Sequence, residues 1–387
     1  MKQQLRTVCA GLVLAGALMV SALAADYTTC ADSLRELGLF RGTAQGDALD
    51  RTPTRAEAAT MLVRLLGAEE QAQALDYDAP FTDLRGWEQP YVQYLYENGL
   101  TTGTTATTFS PEDDCTAQMY AAMLLRALGY REESGELVYR DAVATATQLG
   151  LYDPAVIDPA DFRRDEMVAA SYTALSLSPK DTETTLLDQL VRAGAVQAAA
   201  AAPYAAQFRT YAAYRAETAG MAALDRFALR GGVQAALEGA DGSQLQVHTD
   251  EHTTIDRTAG TATAQGTLTL TAPGVEPHTR AYHRAAATLA GAEQQALLHG
   301  YAVVPVVWVR DLSRAQDRWT LTLDGLPQPY AGQLWPVEQA SGAVWTTRSG
   351  TLTQTVRGGR IVAQQLTVQA AADEQSARIT VASTLAQ

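Results

Sequence analysis

The N-terminal half of the chain carries apolar residues at helical spacing. In residues 54–67 leucines fall at positions i, i+3 and i+4, and residues 116–129 repeat that spacing with Leu124, Ala127 and Leu128. Such a stripe is typical of an amphipathic helix that packs on one face. We therefore expect two helices here that bury the same side.

These two segments are copies of each other. At a constant offset of 62 residues, Thr54–Gly67 and Thr116–Gly129 carry the same residue at seven positions. A third copy, residues 163–175, lies at an offset of 109 from the first. Threonine can cap the start of a helix, and glycine can end one in a left-handed turn. Because one unit of two helices cannot bury its own stripe, the three copies should pack together.

The C-terminal half alternates polar and apolar residues, as strands with one solvent-exposed face do. The alternation is clearest in residues 267–271, 319–323, 349–356, 361–368 and 378–383. This alternation predicts an antiparallel meander at the C-terminal end of the chain. Ahead of the strands, residues 204–236 predict a helix, and residues 197–203, an alanine run that ends at a proline, predict a linker.

Residues 1–24 predict a secretory signal peptide. Lys2 and Arg6 precede an apolar run from Val8 to Val20, and small residues follow it where cleavage would occur. The run is shorter than the about 20 residues that a membrane span needs. We therefore expect a secreted protein without a transmembrane segment.

Composition narrows the class of protein. The chain has 387 residues, of which 47% are hydrophobic, and a formal net charge of −14. This predicts a folded protein of more than one domain. A strongly acidic chain is poorly suited to a nucleic-acid backbone, which needs a basic surface. Nucleic acid is therefore not expected as a partner.

Two small groups of residues leave alternatives open. Cys30 and Cys115 remain after the signal peptide, and outside the cytoplasm they could form a disulfide or stay as thiols. His248, Asp250 and His252 alternate along a predicted strand, where they could form an exposed polar face or chelate a metal. The exposed face is favoured, so no metal or other cofactor is expected.

The middle copy resembles the S-layer homology domain. Phe81-Thr82-Asp83, Trp87, Asn98-Gly99-Leu100 and Phe109-Ser110-Pro111 follow one another in the family's order. In the first copy, Thr54-Arg55-Ala56-Glu57 is similar to the family's signature motif. The resemblance covers residues 27 to about 196.

The resemblance implies a fold and a partner. The fold would be multi-domain, with an N-terminal all-α bundle of three S-layer homology repeats and a C-terminal α+β domain with an antiparallel sheet. The repeats would span residues 26–80, 81–135 and 136–196, the last with a closing helix, and the α+β domain residues 204–387. The family holds exported proteins non-covalently on bacterial cell walls, so the implied partner is a secondary cell wall polysaccharide.

The resemblance also places the polysaccharide site at the starts of the repeated helices. Arginine pairs with carboxylates through a planar fork, and helix N-termini attract anions. The implied site residues are Thr54, Arg55, Glu57, Asp83, Trp87, Arg164 and Glu166. As structural alternatives, Arg55 and Glu57 could form a surface ion pair, both glutamates could cap helices, and Trp87 could belong to the core. Because the second copy has Ala117 in place of the arginine, we expect one or two competent grooves.

The C-terminal half matches no catalytic motif that we could identify, so an enzyme is not expected. Two alternatives remain. The chain could be a wall-attached enzyme with its catalytic domain in residues 204–387, or a structural or adhesion protein that assembles with itself.

Overall fold

A computed structural model describes residues 27–43, 46–289, 291–343, 345–372 and 375–386. Residues 27–212, together with 305–307, form one compact unit, and residues 213–304 and 308–386 form another. The predicted signal peptide, residues 1–24, lies outside the described residues. None of the described helices is both long and apolar enough to cross a membrane.

The first unit is helical, and short loops join its elements. Its α-helices are α1 (Thr28–Glu36), α2 (Arg55–Leu65), α3 (Glu69–Gln73), α4 (Gln89–Glu97), α5 (Ala117–Ala127), α6 (Ala142–Leu149), α7 (Arg164–Ser176), α8 (Leu186–Arg192) and the first part of α9 (Ala198–Glu217). A 3₁₀ turn, Tyr139–Asp141, precedes α6.

The predicted caps are present at α2 and α5. The Thr54 hydroxyl accepts a hydrogen bond from the Glu57 N–H (3.2 Å), and the Glu57 carboxylate accepts one from the Thr54 N–H (2.9 Å). Thr116 accepts from the Met119 N–H in the same way (3.2 Å). Gly67 follows α2 at φ 64°. These bonds satisfy N–H groups that the first helical turn leaves without partners.

The three repeated helices form the centre of the helical unit. Helices α2, α5 and α7 contact one another pairwise. Leu62, Leu124 and Val168 bury their side chains almost completely between them. The helix predicted after the third copy is α8, which packs on α7. The apolar stripes of the three copies therefore share one core.

The predicted linker is wrong. Residues 197–203 do not separate the units, because residues 198–203 begin the long helix α9, which continues to Glu217. Alanine has the highest helix propensity, and Pro203 removes only one backbone hydrogen bond. Phe208 and Tyr211 then anchor α9 by burial, with 0% and 6% of their surface exposed.

The second unit is built on one antiparallel sheet. Its strands are β1 (Arg226–Gly239), β2 (Gln244–Asp256), β3 (Thr261–Thr271), β4 (His278–Ala285), β5 (Val309–Ala315), β6 (Arg318–Asp324), β7 (Thr346–Arg357), β8 (Arg360–Ala372) and β9 (Gln375–Leu385). Among the described residues their order across the sheet is β4-β3-β2-β1-β9-β8-β7-β6-β5. The predicted closing meander is confirmed in β7, β8 and β9, and Gly358 and Gly359 turn the chain between the first two at φ 56° and 78°.

The sequence prediction of a helix over residues 204–236 is wrong beyond Glu217. The chain enters β1 at Arg226. Leu229, Val233 and Leu237 are four residues apart, which fits a helix, but four is also a multiple of the two-residue period of a strand. Spacing alone could not distinguish the two structures here.

Three further helices cover part of the sheet: α10 (Gly291–His299), α11 (Gln328–Ala331) and α12 (Trp335–Ser341). We call these three helices and the 3₁₀ turn Gly332–Leu334 the cap. Helix α10 contacts α11 and β3, and α12 contacts β2. One face of the sheet is therefore buried under the cap.

Glycines permit close approach of neighbouring strands in the sheet. Gly231 in β1 pairs with Glu251 in β2, which pairs with Gly266 in β3. A Cβ at Gly266 would lie 2.1 Å from the Asp250 carbonyl oxygen, and one at Gly231 would lie 1.9 Å from that of Ala382. Only glycine permits the backbones to approach so closely.

Candidate functional site at the starts of the repeated helices

Arg55 is the first residue of α2, and its side chain reaches the loop of the second copy. Its Nε donates to the Phe109 carbonyl oxygen (2.7 Å), and its guanidinium carbon lies 4.6 Å from the centre of the Phe109 ring. The backbone joins the same loop, because the N–H groups of Arg55 and Ala56 donate to the carbonyls of Asp113 (2.9 Å) and Pro111 (3.0 Å). The start of the first repeated helix is thus docked on residues 109–113.

Arg164 repeats this docking on the first copy. Its Nε donates to the Asp47 carbonyl (3.1 Å). The N–H groups of Arg164 and Asp165 donate to the carbonyls of Arg51 (2.9 Å) and Leu49 (3.0 Å). Each of these acceptors lies 62 residues before the acceptor used at Arg55. The offset that relates the helices therefore also relates the loops on which they dock.

The two arginines differ in the group that faces their Nη1 atom. Arg164 Nη1 lies 3.1 Å from a carboxylate oxygen of Glu57. At the same place Arg55 Nη1 contacts the sulfur of Met119 (3.3 Å), and Met119 is the counterpart of Glu57 at an offset of 62. Arg164 is therefore neutralised by the protein, whereas among the described residues Arg55 forms no salt bridge.

Arg55 is buried, but one edge of its guanidinium stays accessible. Only 4% of the residue's surface is exposed. Among the described residues, its Nη2 atom has no hydrogen-bond partner. Nη2 is also not among the polar atoms that are both shielded from solvent and without a hydrogen bond. Nη2 therefore contacts solvent. Burial lowers the pKa of Arg55, and the charges of Asp113 and Asp83 partly offset that effect.

Asp83 shapes the loop that receives Arg55. Its carboxylate accepts hydrogen bonds from the backbone N–H groups of Phe109 (2.9 Å) and Ser110 (2.7 Å). Burial acts to raise the pKa of Asp83, but these two bonds and the charge of Arg55 hold it below its ordinary value. Asp83 therefore holds the loop in place with its negative charge retained.

Two exposed aromatic residues, Tyr96 and Tyr139, are connected to this junction. Tyr96 is 41% exposed and packs edge-on against Phe81 (5.4 Å), which in turn contacts Phe109 (5.9 Å). Tyr139 is 45% exposed and lies close enough to Arg55 to affect its pKa. The junction thus combines one accessible guanidinium edge with flat apolar surfaces.

Trp87 is a surface residue and not part of the core. It is 57% exposed, and its ring lies 6.3 Å from that of Tyr91 at the start of α4. The alternative that assigned it to the core is wrong. Nothing in the described contacts brings Trp87 to Arg55.

The two glutamates of the repeated motif have different environments. Glu57 caps α2 and also accepts from Arg51 Nη1 (2.9 Å). Glu166 accepts from the N–H groups of Arg163 (3.0 Å) and Asp158 (2.8 Å). Burial raises the pKa of Glu166 to about 7, and the charges of Asp165 and Asp158 add to that effect. Both glutamates therefore have capping roles.

The junction between the second and third copies lacks the docking bonds seen at the other two. Ala117 stands where the other copies have arginine and is completely buried. Among the described residues, the N–H groups of Ala117 and Gln118 form no backbone bonds with residues 157–161. The Tyr152 hydroxyl donates to the Ala117 carbonyl instead (3.0 Å). At this junction the described residue in the place of the arginine therefore carries no charge.

The structure also addresses the two open alternatives. Cys30 and Cys115 are both buried, and no disulfide joins them. His248 and Asp250 lie on the exposed face of β2. Within the described ranges, no three histidine, cysteine or acidic side chains come close enough to hold a metal ion.

Sequence reasoning did not find every residue of the Arg55 junction. In the second copy Met119 replaces the glutamate of the motif, and its lack of charge leaves Arg55 without a carboxylate. Tyr96 was missed, and so was the electrostatic interaction of Tyr139, which belongs to the third copy, with Arg55. A constant sequence offset identifies the equivalent residues of the copies, but it does not show which copies contact each other in the fold.

Comparison with known proteins gives one family match. Residues 80–116 match the model of the S-layer homology domain. The chain is 34% identical over 136 residues to a surface layer protein of Brevibacillus choshinensis, covering 30% of this chain and 12% of that protein. It is 28% identical over 130 residues to the middle cell wall protein of Brevibacillus brevis, covering 33% and 12%.

A third relative has a different name. An endoglucanase of Bacillus sp. (strain KSM-635) is 42% identical over 64 residues, covering 16% of this chain and 7% of that protein. The chain thus spans about an eighth or less of the length of these relatives.

Proposed function

Because the chain carries an S-layer homology domain at residues 80–116, we propose that it is an exported bacterial surface protein. Its three helical repeats hold it non-covalently on a secondary cell wall polysaccharide, and its C-terminal domain is displayed outward. Two relatives bear the names of surface layer and cell wall proteins, which supports this location. In this proposal the chain attaches to the wall and catalyses nothing.

The observation that carries the proposal is the state of Arg55. Its Nη2 edge reaches solvent, and its positive charge is not paired with a carboxylate among the described residues. A buried cation that lacks a counter-ion is costly, so an anionic ligand gains from binding there. An acidic substituent on a sugar can accept a hydrogen bond from that edge while Tyr139 and Tyr96 contact the ring.

The same reasoning ranks the three junctions. Arg164 is already paired with Glu57, so an anionic ligand would have to compete with that carboxylate. Ala117 offers no charge. We therefore expect the junction of the first and second copies to contribute most of the affinity, and the Arg164 junction to contribute little.

The decisive experiment measures binding of the full chain to purified, protein-free cell walls. Arg55→Met keeps most of the side-chain volume but removes the charge and the fork. Because a charge-assisted hydrogen bond contributes about 1.5–3 kcal/mol, the variant should bind at least tenfold more weakly. Arg230→Met, at an exposed position of β1, makes the same change of charge in the other unit and should bind like the wild type.

Circular dichroism separates a binding defect from unfolding. If Arg55→Met keeps the helical signal of the wild type and still binds walls equally well, Arg55 is a structural residue and the proposed site is wrong. If neither the wild type nor the control binds walls at all, attachment itself is wrong.

A further inference from the structure

Strand β4 is an open edge of the sheet. Among the described residues no strand pairs with its outer side, because the strand order ends at β4. Its pairing with β3 runs without interruption from Ala285, opposite Thr263, to His278, opposite Leu270. In an antiparallel pair, alternate residues bond to the neighbouring strand, so about half of the backbone N–H and C=O groups of β4 point away from the sheet. Such a row of free groups can pair with another extended chain.

The opposite edge of the sheet, β5, has a feature that hinders such pairing. A bulge interrupts its register with β6 between Val309 and Asp311. Bulges twist an edge strand away from a further strand. Strand β4 has no bulge, and its sequence, His-Thr-Arg-Ala-Tyr-His-Arg-Ala, contains neither proline nor glycine. Of the two edges, β4 is therefore the one that can accept a further strand.

The charge of β4 determines which kind of strand fits. The strand contains two arginines and no acidic residue. Arg284 is paired with Glu251 (2.6 Å), whereas Arg280 forms no salt bridge among the described residues. The residues beside Arg280 across the sheet are Leu268 in β3 and, next to it, Thr249 in β2. Neither carries a charge, so the sheet itself supplies no counter-ion to Arg280.

Arg280 can reach a partner through its two Nη atoms. Its Nε is shielded from solvent, but Nη1 and Nη2 are not among the shielded atoms that lack a hydrogen bond. The residue as a whole is half-buried. In the free protein water hydrates these atoms and the backbone groups of the edge, but water supplies no negative charge. A carboxylate on a strand beside β4 supplies one through a charge-assisted hydrogen bond.

We propose that β4 binds an extended acidic segment of another protein as an additional strand, with a carboxylate opposite Arg280. The backbone of the segment pairs with the free groups of β4, and the residues two positions from the carboxylate face His278 and Tyr282. Arg284 needs no second carboxylate, since it is already paired. The site lies within the second unit and is independent of the proposed wall attachment.

Fluorescence anisotropy with the full chain and labelled peptides tests the proposal. The probe is a peptide of sequence Thr-Val-Thr-Glu-Thr-Val-Thr, labelled at its N-terminus and amidated at its C-terminus. It should bind saturably in the micromolar to millimolar range. The same peptide with Gln in place of Glu should bind about tenfold more weakly, because the charge-assisted hydrogen bond is lost.

Two methylated peptides separate strand pairing from attraction between charges alone. Each carries N-methyl groups on alternate residues, and the two peptides differ in which alternate set is methylated. Only one set of amides faces β4, so one of the two peptides should lose binding. A contact that depends on charge alone would leave both unaffected, since methylation does not change the charge of the peptide.

Variants of the protein locate the contact. Arg280→Gln should bind the acidic peptide no better than the wild type binds the Gln peptide. Arg310→Gln, at an exposed position of β5, makes the same change on the opposite edge and should leave binding unchanged. The comparison of peptides on the wild type decides the proposal even if Arg280→Gln does not fold.

Several results would overturn the proposal. They are no saturable binding of the acidic peptide, equal binding of the Glu and Gln peptides, full binding of both methylated peptides, or undiminished binding by folded Arg280→Gln. Sedimentation of the full chain tests a different occupant. If it shows dimers that Arg280→Gln dissociates, the edge binds a second copy of this chain, and the assignment to another protein is wrong.

Discussion

At the scale of single residues, the charge of the side chain at position 119 determines whether Arg55 is paired with a carboxylate. The equivalent arginine of the third copy, Arg164, faces Glu57 at 3.1 Å, whereas Arg55 faces Met119. The residue that faces Nη1 thus separates an arginine that is paired with a carboxylate from one that forms no salt bridge among the described residues. The motif Thr-Arg-Ala-Glu by itself does not reveal this difference, since the partner lies in another copy.

Introducing the missing carboxylate should therefore block the site. We expect Met119→Glu to pair with Arg55 as Glu57 pairs with Arg164, and wall binding should fall at least tenfold. The free energy of unfolding, measured by urea denaturation, should not fall by more than about 1 kcal/mol, since an ion pair replaces a weak contact. Met119→Gln is the uncharged control and should bind walls like the wild type. A variant that keeps full wall binding would contradict the role given to Arg55.

The carboxyl of Glu166 gives the helical unit a pH dependence near neutrality. Its pKa is raised to about 7 by burial and by neighbouring charges, so the folded protein favours the protonated form. The stability that this group contributes is fully present below about pH 4.5 and is lost as the pH rises through about 7.

Comparison with Glu166→Gln measures this contribution. Between pH 4.5 and pH 8 the wild type should lose on the order of 1–2 kcal/mol more than the variant, after a discount for the partial exposure of the group. Glu133→Gln, which changes an exposed carboxyl, should follow the wild type. Parallel pH profiles for the wild type and Glu166→Gln would show that Glu166 titrates normally.

At the scale of elements, glycine allows neighbouring strands of the sheet to approach each other closely. Gly266 permits β2 and β3 to approach closely. It pairs with Glu251 on one side and Tyr282 on the other, and the Tyr282 hydroxyl donates to the Glu251 carboxylate across it (2.9 Å). Gly266→Ala would place a methyl group 2.1 Å from the Asp250 carbonyl oxygen, which only a shift of the backbone relieves. We expect a loss of about 3 kcal/mol or more in the free energy of unfolding.

Gly350 in β7 provides the matched control. A Cβ there would meet only side-chain methyl groups, the nearest at 3.0 Å. Gly350→Ala should therefore cost less than Gly266→Ala, because a side chain can rotate away and a strand carbonyl cannot. Equal losses in chemical denaturation would show that close approach at Gly266 is not the limiting factor.

The sequence predicted some elements well and others wrongly for a physical reason. Helices α2 and α5 were predicted with their caps, because Thr54, Thr116 and the terminal glycines act through local hydrogen bonds. The closing strands were predicted because their alternation is strict. Strand β1 was mistaken for a helix, since its apolar positions satisfy both periods. The role of Met119 depends on a contact between distant segments, which no local pattern contains.

At the scale of the whole molecule, α9 shows where the chain can be divided. A cut at residue 196 would remove Phe208, whose ring packs edge-on against Tyr172 (5.4 Å), and Tyr204, which hydrogen bonds to Glu36 (2.5 Å). We expect a fragment of residues 27–196 to melt roughly 5–10 °C below one of residues 27–217, because it loses several buried side chains. Equal melting temperatures by circular dichroism would show that α9 does not support the helical unit.

The docking of the repeated helices has a consequence for how the chain is made. The start of α2 rests on carbonyls that come about 55 residues later, and the start of α7 rests on carbonyls that precede it by more than 110. The start of α2 therefore cannot complete its docking bonds until residues 109–113 have been synthesised.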